Sequence, residues 1–162
     1  MSKRFRTWVE EYQDQAWSLA RYLLKDAAEA EDVCQEAFVK LWNNQDSIDP
    51  DKVKAWLMKV TRNGCLDRLR RRKPSEELGE WHEDTIGRGP QQGAEHQELG
   101  QWLQRSIDRL GEPYRSLVVL RDVQQNSYEE VAEALELTLS QVKVYLHRAR
   151  KQLREELAEV RP

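Results

Sequence analysis

Two helix starts in close succession constrain this chain more than anything else in it. In Asn126–Lys151, N-S-Y-E-E-V-A-E-A-L-E-L-T-L-S-Q-V-K-V-Y-L-H-R-A-R-K, Ser127 is followed three residues on by Glu130, and Thr138 by Gln141. Each pair has the form of a capping box, in which a hydroxyl and a carboxylate or amide satisfy backbone N–H groups reciprocally. Val131, Ala132 and Leu135 give the first helix a buried face at helical spacing. Leu139, Val142, Leu146, Ala149 and Leu153 give the second one an apolar stripe. Its opposite face carries Ser140, Gln141, Lys143, His147, Arg148, Arg150 and Lys151, and no carboxylate occurs from Ser140 through Arg154. A short helix, a tight break and a second helix with an apolar back and a cationic front is the geometry that fits a DNA major groove. A merely solvated basic surface would not need two caps so closely spaced.

The net charge argues the other way until its distribution is considered. The 162 residues hold 26 basic and 29 acidic side chains, a formal charge of −3. From Arg62 to Lys73 there are six basic residues opposed only by Asp67, whereas Glu76 to Glu98 holds seven acids and one base, Arg88. Blocks of opposite sign predict separate surfaces with separate partners. Cys34 and Cys65 lack metal spacing and sit among apolar helical residues, which predicts buried reduced thiols. The N-terminus, M-S-K-R-F-R-T-W, lacks the apolar core of a signal peptide, and no run is long enough to cross a bilayer. A cytoplasmic protein with no membrane insertion is expected.

Periodicity predicts an all-α fold. Phe5, Trp8, Val9, Tyr12, Ala16, Leu19, Ala20 and Leu23 form one helical stripe. Asp26 with Glu29 starts a second helix, which is expected to bury Val33, Cys34, Ala37, Phe38, Leu41 and Trp42. A polar loop, Asn43 to Asp49, leads to Pro50. A third helix is expected to bury Val53, Trp56, Leu57, Val60, Leu66 and Leu69 and to stop at Pro74. Residues 75–98 are acidic and broken by Gly79, Gly87, Gly89, Pro90 and Gly93, as in a flexible linker. Helices resume with Leu99, Trp102, Leu103, Ile107 and Leu110, and Pro113 starts another that runs through Leu117, Val118 and Leu120 towards Val123. The reading is two small helical domains, residues 1–74 and 99–162, joined by a flexible acidic linker at 75–98.

Three segments, in order, resemble the extracytoplasmic-function (ECF) sigma factors of the bacterial sigma-70 family. They are A-E-A-E-D-V-C-Q-E-A-F-V-K-L-W (Ala28–Trp42), A-W-L-M-K-V-T-R-N-G-C-L-D-R-L-R-R-R (Ala55–Arg72), and Y-R-S-L-V-V-L-R-D-V with the helix pair that follows it. The resemblance implies sigma region 2 at 1–74 and a helix-turn-helix sigma region 4 at 99–162. It implies core RNA polymerase and promoter DNA as partners, and an anti-sigma factor as a further one. No cofactor, metal or catalysis of its own is implied.

The resemblance also assigns surfaces. Asp32, Gln35 and Glu36 would meet a basic coiled coil of the polymerase clamp. Asn43, Asn44 and Gln45 would hold a flipped base, while Lys59, Arg62, Asn63, Arg70 and Arg71 would bind the opened minus-ten element. Arg68 is a further cation of that helix, and Trp56 reads as core. Thr138, Ser140, Gln141, Lys143, Val144, His147, Arg148 and Lys151 would read the minus-thirty-five element. The linker acids Glu76, Glu77, Glu80, Glu83 and Asp84 would mimic RNA in a basic channel.

Two departures from the family pattern stand out. Val144 and Tyr145 replace a small residue and a base, with Val144 suited to a thymine methyl and Tyr145 to a phosphate or base edge. Glu136 stands where the turn often has glycine, and positive φ there would cost about 1 kcal/mol or more, so another turn geometry is expected. The competing reading is a stand-alone helix-turn-helix regulator, which leaves the basic stretch Arg62–Lys73 unexplained. An enzyme reading lacks a constellation: Glu29, Asp32 and Glu36 are better explained by capping and docking, and His82, His96 and His147 have no partner at metal spacing.

Overall fold

The computed structural model describes residues 2–72 and 94–160, with side chains from 100 to 158 in the second stretch. Every regular element among the described residues is helical. They form two compact units, one on each side of the stretch between 72 and 94.

In the first unit, α1 (Lys3–Leu24), α2 (Ala27–Asn44) and α3 (Val53–Arg71) all pack on one another. Ser2 starts α1 by accepting a hydrogen bond from the Phe5 N–H, and Lys25 ends it in the left-handed conformation. Asp26 caps α2 through the Glu29 N–H at 3.1 Å, but the expected box is only half made. The Glu29 carboxylate pairs instead with Arg72, whose guanidinium also donates to the Leu24 carbonyl. One arginine at the end of α3 thus ties down the corner between α1 and α2. Leu19, Leu23, Leu24, Leu41, Leu57 and Met58 fill the centre with almost no exposure. Gly64 lets α3 approach α2 closely, because a Cβ there would lie 3.1 Å from Val33 Cγ1.

Several expected core positions differ. Trp42 is exposed, set edge-on against Phe5 at 5.0 Å, and Phe38 is only partly buried. Val60, Leu66 and Leu69 are half-buried, and the inner face of α3 runs instead through Ala55, Met58, Thr61 and Cys65. Thr61 fits there because its hydroxyl donates to the Leu57 carbonyl at 2.8 Å. Trp56 packs partly buried against the cluster of Phe5, Trp8, Leu41 and Val53. The loop is also shorter than expected, since α2 continues through Asn43 and Asn44.

In the second unit, α4 (Ala94–Asp108) starts inside the stretch read as linker. The short α5 (Tyr114–Val118) runs into a π-turn (Val119–Val123), then α6 (Tyr128–Leu135) and α7 (Leu139–Val160). The π-turn replaces the expected continuous helix. Its wide register is closed by Gln124 N–H on the Val119 carbonyl and by both Asn126 N–H and Asn126 Nδ2 on the Leu120 carbonyl. Buried Asn126 therefore supplies the hydrogen bonds that a regular helix would have made. Ile107, Leu110, Leu117, Val119, Leu120, Val131, Val142 and Leu146 form the core. Leu103 and Leu139 lie outside it; the stripe of α7 is buried only from Val142 onward.

Both boxes of the helix pair form in full. Ser127 Oγ accepts from the Glu130 N–H and Glu130 Oε1 from the Ser127 N–H, at 3.1 and 3.0 Å. Thr138 and Gln141 repeat this at 3.1 and 2.9 Å. The expectation for Glu136 is overturned: it sits at φ 56°, ψ 43°. The Leu137 N–H reaches the Ala132 carbonyl at 3.0 Å, the bond of a Schellman stop, so two satisfied helix ends outweigh the strain of a non-glycine residue.

Candidate DNA- and protein-binding surfaces

On α7 the exposed face carries Ser140, Gln141, Lys143, Val144, His147, Arg148 and Lys151, with Thr138 at its start. The Thr138 hydroxyl and Gln141 Oε1 are engaged in the cap, which leaves the Gln141 amide nitrogen to point outward as a donor. Val144 offers a methyl-bearing surface at 46% exposure among these polar groups. A guanidinium, an amide and an exposed apolar group within two turns are the set that distinguishes guanine, adenine and thymine edges.

Two residues expected outward on this helix are turned aside. Arg150 forms a two-pronged ion pair with Asp122 of the π-turn, Nε–Oδ2 3.1 Å and Nη2–Oδ1 2.5 Å. The Asp122 hydrogen bonds hold the guanidinium above its ordinary pKa against the opposing effect of burial. Tyr145 packs edge-on against Tyr114 at 5.7 Å, and Arg148 lies 5.8 Å from the Tyr145 ring, so the tyrosine backs a cation. Asp122 had escaped sequence reasoning because it lies 28 positions from Arg150, with no periodic pattern linking them.

On α3, Asn63, Arg70 and Arg71 are exposed, while Lys59 and Arg62 are half-buried. Asp67 accepts from both Arg70 and Arg71 at 3.2 Å, so this surface is less cationic than its arginine count. The corner between α2 and α3, at the opposite end of α3 from Arg70 and Arg71, is already hydrogen-bonded within itself. Asn44 Nδ2 donates to the Lys40 carbonyl, Gln45 Nε2 to the Trp42 carbonyl, and Ser47 Oγ to the Asn44 carbonyl. Ser2 donates to Gln45 Oε1, and Arg4 pairs with Asp46 at 3.2 Å. The amides of Asn44 and Gln45 therefore shape the corner as well as face solvent, and Asn43 is exposed beside them.

On α2, Asp32, Gln35 and Glu36 are exposed and line a shallow groove with Val39 and Lys40. Val39, 58% exposed, adds an apolar centre that the periodicity had not marked. The acids are also partly neutralised from within. Arg68 of α3 donates to Glu36 Oε1 at 2.9 Å and stands 4.0 Å from Asp32. Arg68, read as a further cation of α3, is thus paired with the acidic face of α2.

Cys34 and Cys65 are buried and in no disulfide, and burial, with Glu31 nearby, pushes the Cys34 thiol up to about 12. No three His, Cys, Asp or Glu side chains among the described residues come together as a metal site. No helix among them is long and apolar enough to cross a membrane. Trp81, His82 and the acids Glu76–Asp84 lie outside the described residues.

Comparison with known proteins matches residues 4–74 to Sigma-70 region 2 and residues 100–153 to Sigma-70, region 4. The chain is 30% identical over 94% of its length to the ECF RNA polymerase sigma factor SigW of Bacillus subtilis, covering 88% of that protein. It is 33% identical over 94% of its length to the RNA polymerase sigma-E factor of Streptomyces coelicolor, covering 85% of it. Among solved structures, the sigma factor RpoE of Bartonella quintana, co-crystallised with the anti-sigma factor NepR, matches with a TM-score of 0.77 at 25% identity, covering 99% of this chain and 100% of that one. CnrH in complex with the cytosolic domain of CnrY shares the fold, with a TM-score of 0.73 at 24% identity, covering 96% and 88% of the two chains.

Proposed function

The chain belongs to the ECF sigma factors of the sigma-70 family, and from that premise we propose which of its surfaces performs each task of such a factor. It binds core RNA polymerase and directs promoter-specific initiation at minus-thirty-five and minus-ten elements. Residues 99–162 supply upstream recognition, through Thr138, Ser140, Gln141, Lys143, Val144, His147, Arg148 and Lys151. Residues 1–74 supply polymerase docking through Asp32, Gln35 and Glu36, and minus-ten binding through Asn43, Asn44, Gln45, Lys59, Arg62, Asn63, Arg70 and Arg71. The linker read at 75–98 ends where α4 begins, at Ala94. The observation that carries this reading is the face of α7, polar and cationic in front, apolar behind, and fixed at its start by a complete capping box.

Exposed carboxylates around Val39 suit a basic partner helix with an apolar centre, and opposite charge favours fast, oriented docking. Catalysis stays with the polymerase, and the factor acts in the cytoplasm. An anti-sigma protein is its further partner, a reading supported by analogy with the RpoE neighbour, which was crystallised bound to the anti-sigma factor NepR.

The test separates the two DNA surfaces. Arg148→Ala is expected to cost about 1–3 kcal/mol of minus-thirty-five discrimination. Asn63→Ala with Arg70→Ala is expected to leave closed complexes intact and to impair strand opening, with recovery on a pre-opened bubble template. Permanganate footprinting of unpaired thymines reads where each variant stalls. A block at the same step for both would refute the division. Tight, specific DNA binding by the free protein would favour the stand-alone regulator instead.

A further inference from the structure

The recognition helix touches the rest of its unit through an apolar stripe, and such a stripe resists separation better than rotation. Val142, Leu146 and Ala149 are buried along one side of α7, with Leu153 half-buried below them. Methyl groups and leucine side chains have no directional bonds, so alone they leave the helix free to roll by some degrees about its axis. Which bases meet Gln141, Val144 and Arg148 depends on that roll.

A polar network on the flank of the stripe removes this freedom. Asp122 grips Arg150 with both carboxylate oxygens, at 3.1 and 2.5 Å, a fork geometry that defines direction as well as distance. The Tyr128 side chain, at the start of α6, stands close enough to Arg150 to favour its charged form. The neighbouring Arg121 lies 4.4 Å over the Tyr128 ring and donates to the Asn126 carbonyl at 2.8 Å. Consecutive residues of the π-turn thus hold both helices of the pair, Arg121 the first and Asp122 the second. The wide π register places them there, and buried Asn126 keeps that register closed. Side chains of Asp122 and Arg150 are about one-third exposed, so the pair adds little to stability. Its directional bonds are the greater contribution.

We propose that Asp122 is a positioning residue for promoter recognition: through Arg150 it sets the roll of α7 and thereby which base edges the exposed face reads. The inference rests on the assignment of that face to the minus-thirty-five element. Asp122 touches no DNA in this scheme.

The test uses the full chain assembled with core polymerase on a cognate promoter and on promoters with single substitutions in the minus-thirty-five element. Asp122→Asn keeps the size of the side chain and loses the charge-assisted fork. It is expected to lower discrimination between these promoters by about tenfold, the order of one base contact. Co-elution with polymerase and discrimination at the minus-ten element are expected to be unchanged. Asp122→Glu is expected to restore most of the loss. Loss of melting temperature with discrimination intact would overturn the proposal, because Asp122 would then be a brace only. An equal loss of affinity on all promoters would also overturn it, because Arg150 would then act on phosphates. Arg148→Ala is measured alongside: if that variant keeps full minus-thirty-five discrimination, the assignment of the face has failed rather than the role of Asp122.

Discussion

Glu136 holds the turn between α6 and α7 at φ 56°, ψ 43°, in a place where the Schellman stop favours glycine. The left-handed conformation costs an L-residue about 1–2 kcal/mol. Glycine escapes that strain but loses about 0.4–1 kcal/mol more through the freedom of the unfolded chain. The net gain expected for Glu136→Gly over Glu136→Ala is therefore about 0.5–1 kcal/mol. Alanine is the proper reference. Both variants remove the Glu136 side chain, its charge at a helix C-terminus and whatever its carboxylate contacts, so their difference isolates the backbone. A gain of this size raises the midpoint of a domain of this length by about 2–8 °C. Thermal unfolding followed by circular dichroism, checked by urea titration, measures it. DNA affinity in the polymerase complex is expected to be equal for the two variants, since neither moves the helices. If glycine is no more stable than alanine, the residue is not held at positive φ in solution and the reasoning fails.

Ser127→Ala removes one hydrogen bond of the first capping box, the one accepted from the Glu130 N–H; a loss of about 1 kcal/mol in urea unfolding is expected, with Ser127→Asp largely neutral. Arg68→Gln removes the internal counter-ion of Asp32 and Glu36, and is expected to tighten association with core polymerase at low salt by up to about fivefold and to steepen its salt dependence; weaker association would mean that Arg68 instead aligns the two carboxylates for docking. The Cys34 thiol, raised from 9.0 to about 12, keeps its proton in the folded chain where the unfolded chain has lost it. Its contribution to stability is thus fully present below pH 9 and is lost as pH rises towards 12. Cys34→Ala is expected to flatten that part of the stability–pH curve relative to the parent chain, and identical slopes would refute the burial assigned to Cys34.

Most features governed by neighbours three or four residues apart were legible in the sequence, the Asp26–Glu29 box excepted, because Arg72 draws the Glu29 carboxylate away. The boxes at Ser127–Glu130 and Thr138–Gln141 formed as read, because a cap depends on atoms that the local backbone already brings together. The stripe of α1 and the exposure of Asp32, Gln35 and Glu36 followed from the same short-range geometry. Resemblance then supplied the family, which no spacing alone would have named.

What the tertiary structure decided was the partner of each long charged side chain and the edge of each core. Arg68, Arg72 and Arg150 all looked like free cations on basic helices, yet each turns to a carboxylate 28 to 43 positions away. An arginine can swing its guanidinium across several ångströms, so its direction is chosen by whatever acid the packed helices bring near, and no periodicity records that choice. Trp42 and Leu139 missed the core for a related reason: a helical stripe says which side is apolar, and only the neighbouring helices determine how far along it burial extends. Glu136 shows the balance most directly. Local preference favoured a different turn, and the caps and packing of the two helices on either side were together strong enough to override it.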